Sequence, residues 1–317
     1  MKFAFVLDPP DTLKPYKDSS VAMMREAARR GHDVFAIAPD GLSWQADGVQ
    51  AVAHRLILRD SDEAWYEVQS VQRVLLAGFD AIVVRKDPPF DAEYLYATQL
   101  LSLSTDAGIR VWNTPQILRD WNEKIAITRF SRWCVPTLIS RDPEQLRAFA
   151  AEQRDVIVKP LDGMGGAGIF RVREDGLNLN SILETLGGQG TRTLMMQKYI
   201  PAVTEGDKRV LLIAGQVVPW ALARIPAAGE TRANLAAGGT GVAMPLTERE
   251  QQIASDLAPV LWSKGILLAG LDIIGGYLTE INITSPTGMV EIGRQTGFSP
   301  AAMLVDALEQ TCVPGAG

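Results

Sequence analysis

The chain has 317 residues, of which 47% are hydrophobic and 21% charged, and its formal net charge is -6. This composition predicts a soluble globular protein of two or three lobes, and the negative charge disfavours nucleic acids and anionic membrane surfaces as partners. The two cysteines, Cys134 and Cys312, argue against a disulfide framework or a zinc cage, and no apolar run is as long as a signal-peptide core or a membrane span. We therefore expect a cytoplasmic protein that binds neither nucleic acid nor membrane.

The first 121 residues predict an open α/β lobe. Strands are predicted over 2–7, 33–38, 81–84 and 110–112, and helices over 19–30 and 92–107. This order is typical of a parallel sheet covered by helices, and no regular element is predicted around His54. Ligands of such sheets bind beyond the carboxyl ends of the strands, where Arg85 is the candidate substrate residue. The alternative for Arg85 is a surface ion pair with Asp87.

A second lobe is predicted from 122 to 201. It begins with a helical stretch that contains Lys124 and continues to an apolar strand that ends at Lys159. A lysine at the end of an apolar strand either extends to solvent or points into an anion site, and the glycines that follow favour the anion site. At the end of the lobe, residues 197–200 form a strand end and hinge whose backbone could pair with a flat heterocycle.

A glycine-rich loop is the most informative segment of this lobe. Gly163, Gly165 and Gly168 match the G-x-G-x-x-G pattern of nicotinamide-binding proteins, in which the last glycine begins a helix. Residues 169–173 alternate like a strand instead. The glycines therefore predict a hairpin loop whose backbone N–H groups approach an anion, as a flexible cover over phosphates. The alternative is an ordinary long hairpin.

The third lobe, 202–317, contains isolated polar side chains in two apolar strands joined at Gly275-Gly276. Glu280 and Asn282 are two residues apart, share one face, and offer the oxygen ligands that Mg²⁺ prefers. Asp272 joins that face only if the hairpin contains a bulge or a three-residue turn, which we therefore predict. The alternative is a hairpin whose polar residues face solvent.

Two further features lie between these sites. Arg209 and Arg224 are predicted on or next to strands over 210–214 and 220–225. The segment 226–241 is rich in glycine and alanine without periodicity, and it predicts a mobile lid that carries Arg232, with plain disorder as the alternative.

Several long motifs together resemble the ATP-grasp superfamily, and most closely the bacterial glutathione synthetases. They are Arg85-Lys86-Asp87-Pro88-Pro89-Phe90, Lys159-Pro160-Leu161-Asp162-Gly163-Met164-Gly165-Gly166, Gly229-Glu230-Thr231-Arg232, Asn234-Leu235-Ala236-Ala237-Gly238-Gly239 and Gly270-Leu271-Asp272-Ile273-Ile274-Gly275. The resemblance covers nearly the whole chain. It implies an N-terminal α/β lobe, then a two-lobed ATP-grasp region that clamps ATP between antiparallel sheets, assembled as a homotetramer.

The resemblance also implies roles for individual residues. The ATP site would comprise Lys124, Lys159, the loop glycines Gly163, Gly165, Gly166 and Gly168, and the hinge residues Gln197, Lys198, Tyr199 and Ile200. Lys198 departs from the family pattern, and its side chain is not treated as a ligand. Asp272, Glu280 and Asn282 would hold Mg²⁺, with Mn²⁺ as a substitute. Arg209 and Arg224 would act near the acyl phosphate, and Arg85, Arg209, Arg224 and Arg232 would contact substrate.

The activity that the resemblance implies is ATP-dependent ligation of γ-glutamylcysteine and glycine to glutathione through an acyl phosphate. No covalent enzyme nucleophile is needed, which agrees with the absence of a recognisable catalytic setting around His32 and His54. Three other readings compete with this one: a ligase of other amino-acid or peptide specificity, a non-catalytic ATP-binding module, and a nicotinamide oxidoreductase.

Overall fold

The computed structural model describes residues 1–225 and 240–313, and within them the chain forms three sheets. The first sheet has the strand order β4-β3-β2-β1-β5-β6. Its elements are β1 (Lys2–Val6), α1 (Ser19–Arg29), β2 (Asp33–Gln45), β3 (Gly48–Leu58), β4 (Tyr66–Leu75), β5 (Ala81–Val84), α2 (Ala92–Asp106) and β6 (Val111–Trp112). The Asp18 carboxylate caps α1 by accepting hydrogen bonds from the backbone N–H groups of Ser20 and Val21.

The parallel arrangement predicted for the four strands β1, β2, β5 and β6 is confirmed, and the two outer strands of the first sheet were not predicted. β2, β1, β5 and β6 are parallel, whereas β3 and β4 are added as antiparallel hairpins. His54, expected in an irregular stretch, lies on β3 opposite Ala36. Gly48 takes a φ of +127° directly after the turn that joins β2 to β3, a conformation that glycine adopts without steric cost.

The second sheet is antiparallel, with the order β7-β10-β8-β9. Helix α3 (Pro115–Asp120) and a 3-10 helix (Ile125–Trp133) precede it, and its own elements are β7 (Thr137–Ser140), α4 (Pro143–Gln153), β8 (Val156–Pro160), β9 (Phe170–Val172), α5 (Leu179–Gly187) and β10 (Leu194–Lys198). Residues 122–124, expected in a helix, form the turn between α3 and the 3-10 helix. The Asn122 side chain accepts the N–H groups of Lys124 and Ile125 there, both at 3.1 Å, and so begins the next helix.

The third sheet is also antiparallel, with the order β13-β12-β11-β14-β15. Its strands are β11 (Asp207–Ile213), β12 (Gln216–Ile225), β13 (Thr240–Pro245), β14 (Leu268–Ile274) and β15 (Tyr277–Asn282), and its helices are α6 (Glu248–Ser263), α7 (Met289–Thr296) and α8 (Pro300–Cys312). Thr240 and Gly241 begin β13, so the predicted lid was wrong at these two residues. The rest of the lid, with Arg232, lies outside the described residues.

The first and third sheets share continuous hydrophobic cores, one of which includes Met195 of the second sheet, whereas the other face of the second sheet has a separate, smaller core around Leu146, Val158 and Met196. Asn113 joins the first and third sheets: its side-chain N–H₂ donates to the carbonyls of Leu268 at 2.8 Å and Ile283 at 2.6 Å. The three sheets fall within the three predicted ranges, and the boundaries near 121 and 201 stay predictions. None of the helices in 1–225 and 240–313 combines the length and apolarity needed to cross a membrane.

Candidate active site

A cavity of about 810 Å³ lies where the loops of the three sheets meet. Such a volume is at the upper end of the range for small-molecule sites. Most of the predicted site residues line it: Lys124, Lys159, Gly163, Gly165, Gly166, Gln197, Lys198, Tyr199, Ile200, Arg209, Arg224, Asp272, Glu280 and Asn282. The structure therefore brings together residues that are up to 158 positions apart in the chain.

The glycine loop forms one wall of the cavity. It joins β8 to the antiparallel strand β9, as the hairpin prediction required, and residues 163–168 do not begin a helix. The helix that the nicotinamide interpretation requires is absent, as the alternation of residues 169–173 predicted. Gly165 and Gly166 have φ values of +62° and +83°, which other residues adopt at a cost. Gly168, with a φ of +72°, belongs to the loop but does not line the cavity.

Two buried lysines, Lys124 and Lys159, line the cavity together with the glycine loop. The Lys124 ammonium donates to the Gly163 carbonyl at 2.6 Å and pairs with the Glu280 carboxylate at 3.0 Å. The Lys159 ammonium is buried and donates to the Thr279 carbonyl at 3.3 Å. Burial lowers the pKa of Lys159, and the nearby Glu280 opposes that shift. These ammonium groups can bind phosphate oxygens because they are poorly solvated and face a concave surface.

An arginine–aspartate cluster occupies the floor of the cavity. Arg209 donates to both oxygens of Asp272, from Nε at 2.6 Å and from Nη2 at 3.1 Å. Arg224 Nη2 lies 2.8 Å from the same carboxylate and 2.5 Å from Asp207 Oδ2. Burial would raise the pKa of Asp272, but the two guanidinium groups hold it well below its usual range. Burial raises the pKa of Asp207 to about 6, against the opposing charge of Arg224.

The hairpin of β14 and β15 presents the predicted oxygen ligands. Asp272 pairs directly with Glu280, because Thr279 is an extra residue in β15, and the bulge prediction is confirmed. Glu280 and Asn282 both line the cavity. The Asn282 side-chain N–H₂ donates to the Gly270 carbonyl at 3.2 Å, so this hydrogen bond does not use the Asn282 amide oxygen. A carboxylate and an amide oxygen on one face fit a hard divalent cation.

Asp272 differs from the other two predicted ligands, because both of its oxygens accept hydrogen bonds from arginines. No cluster of three His, Cys, Asp or Glu side chains suited to a metal occurs within the described ranges. All three predicted metal ligands line the cavity, but among the described residues only Glu280 and Asn282 are free of arginine contacts, and Asp272 balances the charge of the arginines.

The hinge residues 197–200 form a further part of the cavity wall. The Gln197 side chain is buried and donates to Thr137 Oγ1 at 3.1 Å. The backbone N–H groups of Lys198 and Tyr199 donate to the carbonyls of Pro136 and Asp155, so these two groups are already used within the protein. The Arg171 guanidinium lies 3.5 Å from the centre of the Tyr199 ring, and a bidentate pair with Asp155 holds it there.

Arg85 lies apart from the cavity. It is 3% exposed, and it donates to Ser20 Oγ and to the Pro286 carbonyl, each at 2.9 Å. Within the described residues Arg85 forms no ion pair with Asp87, and it is buried, so the alternative of a surface ion pair was wrong. Its role as a substrate residue stays a prediction, as does that of Arg232.

Sequence reasoning missed several residues that line the cavity. Asp207, two positions before Arg209 on the same face of β11, could have been found from that spacing. Glu123 is half-buried and accepts the N–H groups of Ile283 at 2.7 Å and Thr284 at 2.9 Å, a contact that no sequence pattern indicates. Burial and the nearby Glu280 raise the pKa of Glu123. Charged residues from the first lobe and from α7 complete the wall: Asp8, Lys14, Lys17, Asp18, Lys86, Asp87 and Glu291.

Comparison with known proteins covers the whole chain. The family models described as prokaryotic glutathione synthetase, N-terminal domain and ATP-grasp domain match residues 1–119 and 123–297. A glutathione synthetase from Ralstonia nicotianae is 54% identical over 317 residues, which is 100% of this chain and 98% of that protein. One from Nitrosomonas europaea is 53% identical over 313 residues, 98% of each chain.

Solved structures with the same fold are more distant in sequence. The D-cycloserine synthetase DcsG superposes with a TM-score of 0.66 at 16% identity, over 99% of this chain and 100% of that chain. A RimK domain ATP-grasp protein from Sphaerobacter thermophilus superposes with a TM-score of 0.61 at 17% identity, over 96% and 98% of the two chains. At these identities the likeness shows the ATP-grasp fold alone.

Proposed function

The chain belongs to the prokaryotic glutathione synthetase family, and we propose that its cavity joins γ-glutamylcysteine to glycine while ATP is converted to ADP and phosphate. One observation carries this proposal: a single cavity holds a glycine loop with two lysines, an oxygen-donor pair and a buried arginine pair. The glycine loop and the lysines suit the phosphates of ATP, and the oxygen-donor pair suits a divalent cation. The arginine pair suits an activated carboxylate. Curated relatives at 54% and 53% identity with this activity support the assignment.

The proposed reaction has two steps. A cysteinyl carboxylate oxygen of γ-glutamylcysteine attacks the γ-phosphorus of ATP, the bond to ADP breaks, and an acyl phosphate forms. Lys124 and Lys159 hold the phosphate oxygens during this transfer, and the loop 163–168 covers them. The glycine amine then attacks the acyl carbon, loses a proton, and displaces phosphate to leave the new amide.

The buried arginines stabilise the charge that develops in both steps. Arg209 and Arg224 are only 6% and 7% exposed, so their attraction for a developing oxyanion is weakly screened by water. A well-placed donor of this kind typically lowers the barrier by about 3 kcal/mol. Asp272 fixes both guanidinium groups in position, which avoids reorganisation when the charge forms.

A divalent cation belongs to this chemistry, and we propose that it is Mg²⁺, with Mn²⁺ as a substitute. Glu280 and Asn282 would hold it, with Asp272 as the third predicted ligand. When bound, such an ion neutralises phosphate charge and orients the transferring group.

Phosphate release tests the proposal. We expect fast release only when ATP, γ-glutamylcysteine and glycine are all present, with glutathione formed in equal amount. Glu280→Gln should reduce that rate by at least about 100-fold, whereas the exposed control Glu144→Gln should not change it. Release that is indifferent to both substrates would indicate a binding module, and ligation of other amino acids in preference to glycine would indicate another specificity.

We further propose a homotetramer in the cytoplasm, as in the better-known bacterial members of the family. In support, the outer strands of the first sheet expose Ile57, Val68 and Val71, at 41%, 40% and 55%. Light scattering should give four chain masses, and a monomeric mass would contradict the assembly. Both cysteines are free thiols, in keeping with a reducing compartment, and cell fractionation tests the location.

A further inference from the structure

Three residues form a connected set of contacts, the Tyr199 clamp, which consists of Asp155, Arg171 and Tyr199. Arg171 donates to both oxygens of Asp155, from Nε at 2.9 Å and from Nη2 at 2.5 Å. The guanidinium of Arg171 lies over the Tyr199 ring, 3.5 Å from its centre. The backbone carbonyl of Asp155 accepts the Tyr199 N–H at 2.8 Å. Asp155 and Arg171 therefore hold both the backbone and the ring of Tyr199.

The Tyr199 clamp belongs to the cavity, although no step of the proposed reaction uses it. Arg171 and Tyr199 both line the cavity. Arg171 pairs with Ile157 across the second sheet, and Ile157 pairs with Gln197, so these three residues share the face that lines the cavity. The clamp thus joins β9, the strand after the glycine loop, to the hinge after β10.

Two backbone groups of the hinge remain available to a ligand. The Lys198 N–H donates to the Pro136 carbonyl, and a proline has no N–H with which to return a hydrogen bond to the Lys198 carbonyl. The Ile200 N–H donates to no group in the described part of the chain. A carbonyl and an N–H suit a base edge that offers a donor beside an acceptor. The amino group and N1 of adenine form such an edge, whereas hypoxanthine presents the two in reverse.

Tyr199 lies between these two groups in the chain. The Lys198 carbonyl and the Ile200 N–H belong to the two peptide planes that meet at the Cα atom of Tyr199. Because peptide planes are rigid, the backbone dihedral angles of Tyr199 set the direction of one group relative to the other. Contacts that fix Tyr199 therefore fix the hydrogen-bonding pattern that the hinge offers to a base.

A purely stabilising role explains little of this arrangement. The side chains of Arg171 and Asp155 are 25% and 35% exposed, so water screens their ion pair. Loss of the pair should therefore have little effect on the stability of the chain. Its effect on the direction of the hinge groups does not depend on that screening.

On the basis of the proposed function, we infer that Arg171 is a positioning residue that sets the preference of the enzyme for adenine over 6-oxopurines. Arg171 acts through Tyr199: it holds the ring, and the ring holds the two peptide planes that face the base. Without Arg171 the hinge can turn, and the Lys198 carbonyl and the Ile200 N–H no longer match only the adenine edge.

The variant Arg171→Ala tests the inference, with the exposed Arg173→Ala as the matched control. We expect the KM for ATP to rise about tenfold while kcat changes less than about threefold, because binding is weakened equally in the ground state and the transition state. The ratio of kcat/KM for ATP to kcat/KM for inosine triphosphate should fall about tenfold. The control should change neither quantity, and both variants should keep the urea midpoint of the unaltered chain.

The conservative variant Arg171→Lys separates geometry from charge. Lysine keeps the positive charge but lacks the planar fork that binds Asp155 and stacks on Tyr199. We expect Arg171→Lys to lose the preference for ATP as Arg171→Ala does. A normal preference in Arg171→Lys would show that charge alone matters and would overturn the inference. An equal rise in KM for both nucleotides in Arg171→Ala would also overturn it, because the base would then not be involved.

A double-mutant cycle tests whether Arg171 acts through Tyr199. In a Tyr199→Ala background, Arg171→Ala should change the preference for ATP by less than about twofold, because the ring that it holds is already absent. A full, additive loss would show that Arg171 acts independently of Tyr199, and the inference would fail.

The unaltered enzyme provides a test that needs no variant. It should use ATP at least about tenfold more efficiently than inosine triphosphate, because the reversed edge leaves both hinge groups unpaired. Equal efficiency with the two nucleotides would refute the inference. Failure of the proposed function is distinguishable, because the unaltered enzyme would then release no phosphate from ATP in response to γ-glutamylcysteine and glycine.

Discussion

Replacing Asp272 by asparagine is expected to lower the free energy of unfolding by about 3 kcal/mol. The Asp272 carboxylate is 5% exposed and accepts hydrogen bonds from Arg209 Nε, Arg209 Nη2 and Arg224 Nη2 at 2.6, 3.1 and 2.8 Å. Removal of one partner from a buried ion pair costs about 3–5 kcal/mol, because the remaining charges stay buried without compensation. The amide oxygen of asparagine still accepts one hydrogen bond, so we expect the lower end of that range.

The matched control is Asp256→Asn. Like Asp272, Asp256 accepts hydrogen bonds and forms an ion pair: Trp133 Nε1 donates to it at 2.7 Å, and Arg132 pairs with it. Its side chain, however, is 30% exposed. Water screens such a pair, and the substitution should cost less than about 1 kcal/mol. Urea-induced unfolding, followed by tryptophan fluorescence, gives both differences. Equal losses for the two variants would refute the argument from burial.

The pH dependence provides a second check on the same residue. The two arginines hold the pKa of Asp272 below its ordinary value, so the stabilisation is present above about pH 4 and is lost as the pH falls through the folded-state pKa. The difference in the free energy of unfolding between the wild-type chain and Asp272→Asn should therefore be constant from about pH 6 to 8 and become smaller at lower pH. A difference that widens in acid would contradict the assigned sign.

Four further predictions follow from individual contacts. Lys124→Gln removes the ammonium between Gly163 and Glu280, and it should raise the KM for ATP about tenfold or more in steady-state assays; an unchanged KM would exclude a phosphate contact. Gly168→Ala should destabilise the chain by about 1–2 kcal/mol, since φ is +72° and the new Cβ would lie 3.1 Å from Pro160 Cγ, whereas Gly78→Ala, with open space around it, should be neutral in the same unfolding assay. The pKa of Asp207 is raised from 3.8 to about 6, so between these pH values the folded state binds more protons than the unfolded state. The free energy of unfolding should therefore fall as the pH rises through this interval. Asp207→Asn should make the free energy of unfolding less dependent on pH in the same interval. Removal of divalent metal with a chelator should abolish ligation, and Mg²⁺ or Mn²⁺ should restore it; full activity without metal would contradict the assigned oxygen site.

Local patterns predicted much of the ATP-grasp region. The hairpin around the glycine loop followed from alternation in residues 169–173, and the bulge at Thr279 followed from parity, because Asp272 and Glu280 can share a face only if one strand has an extra residue. These features are set by neighbours in the chain, and so a single sequence contains the information. The β3 and β4 hairpins were missed because their buried positions include small residues such as Ala51 and Ala53, which give a weak apolar alternation.

Contacts between distant segments were the part that sequence could not supply. Arg85 directly follows β5 at the predicted ligand-binding edge, yet its side chain donates to Ser20 and to the carbonyl of Pro286, a residue 201 positions away. The spacing of Asp207 and Arg209 places the two residues on one face of β11, but the contact of Asp207 with Arg224 forms only when β11 and β12 pair. Residue type and spacing indicated which groups could do chemistry, and the tertiary fold decided which of them meet.

The hydrogen bonds of Glu123 have a mechanical consequence for the neighbouring Lys124. Because Glu123 binds the N–H groups of Ile283 and Thr284, the Lys124 ammonium is anchored to the third sheet, whereas its partner carbonyl at Gly163 is carried by the second. The 2.6 Å contact thus joins the glycine loop of the second sheet to a residue held by the third sheet. A phosphate that bound the Lys124 ammonium in place of the Gly163 carbonyl would remove this contact between the two sheets. Amide hydrogen exchange over 161–168 should be faster in Lys124→Gln than in the unaltered chain. Unchanged exchange would show that other contacts hold the glycine loop against the third sheet.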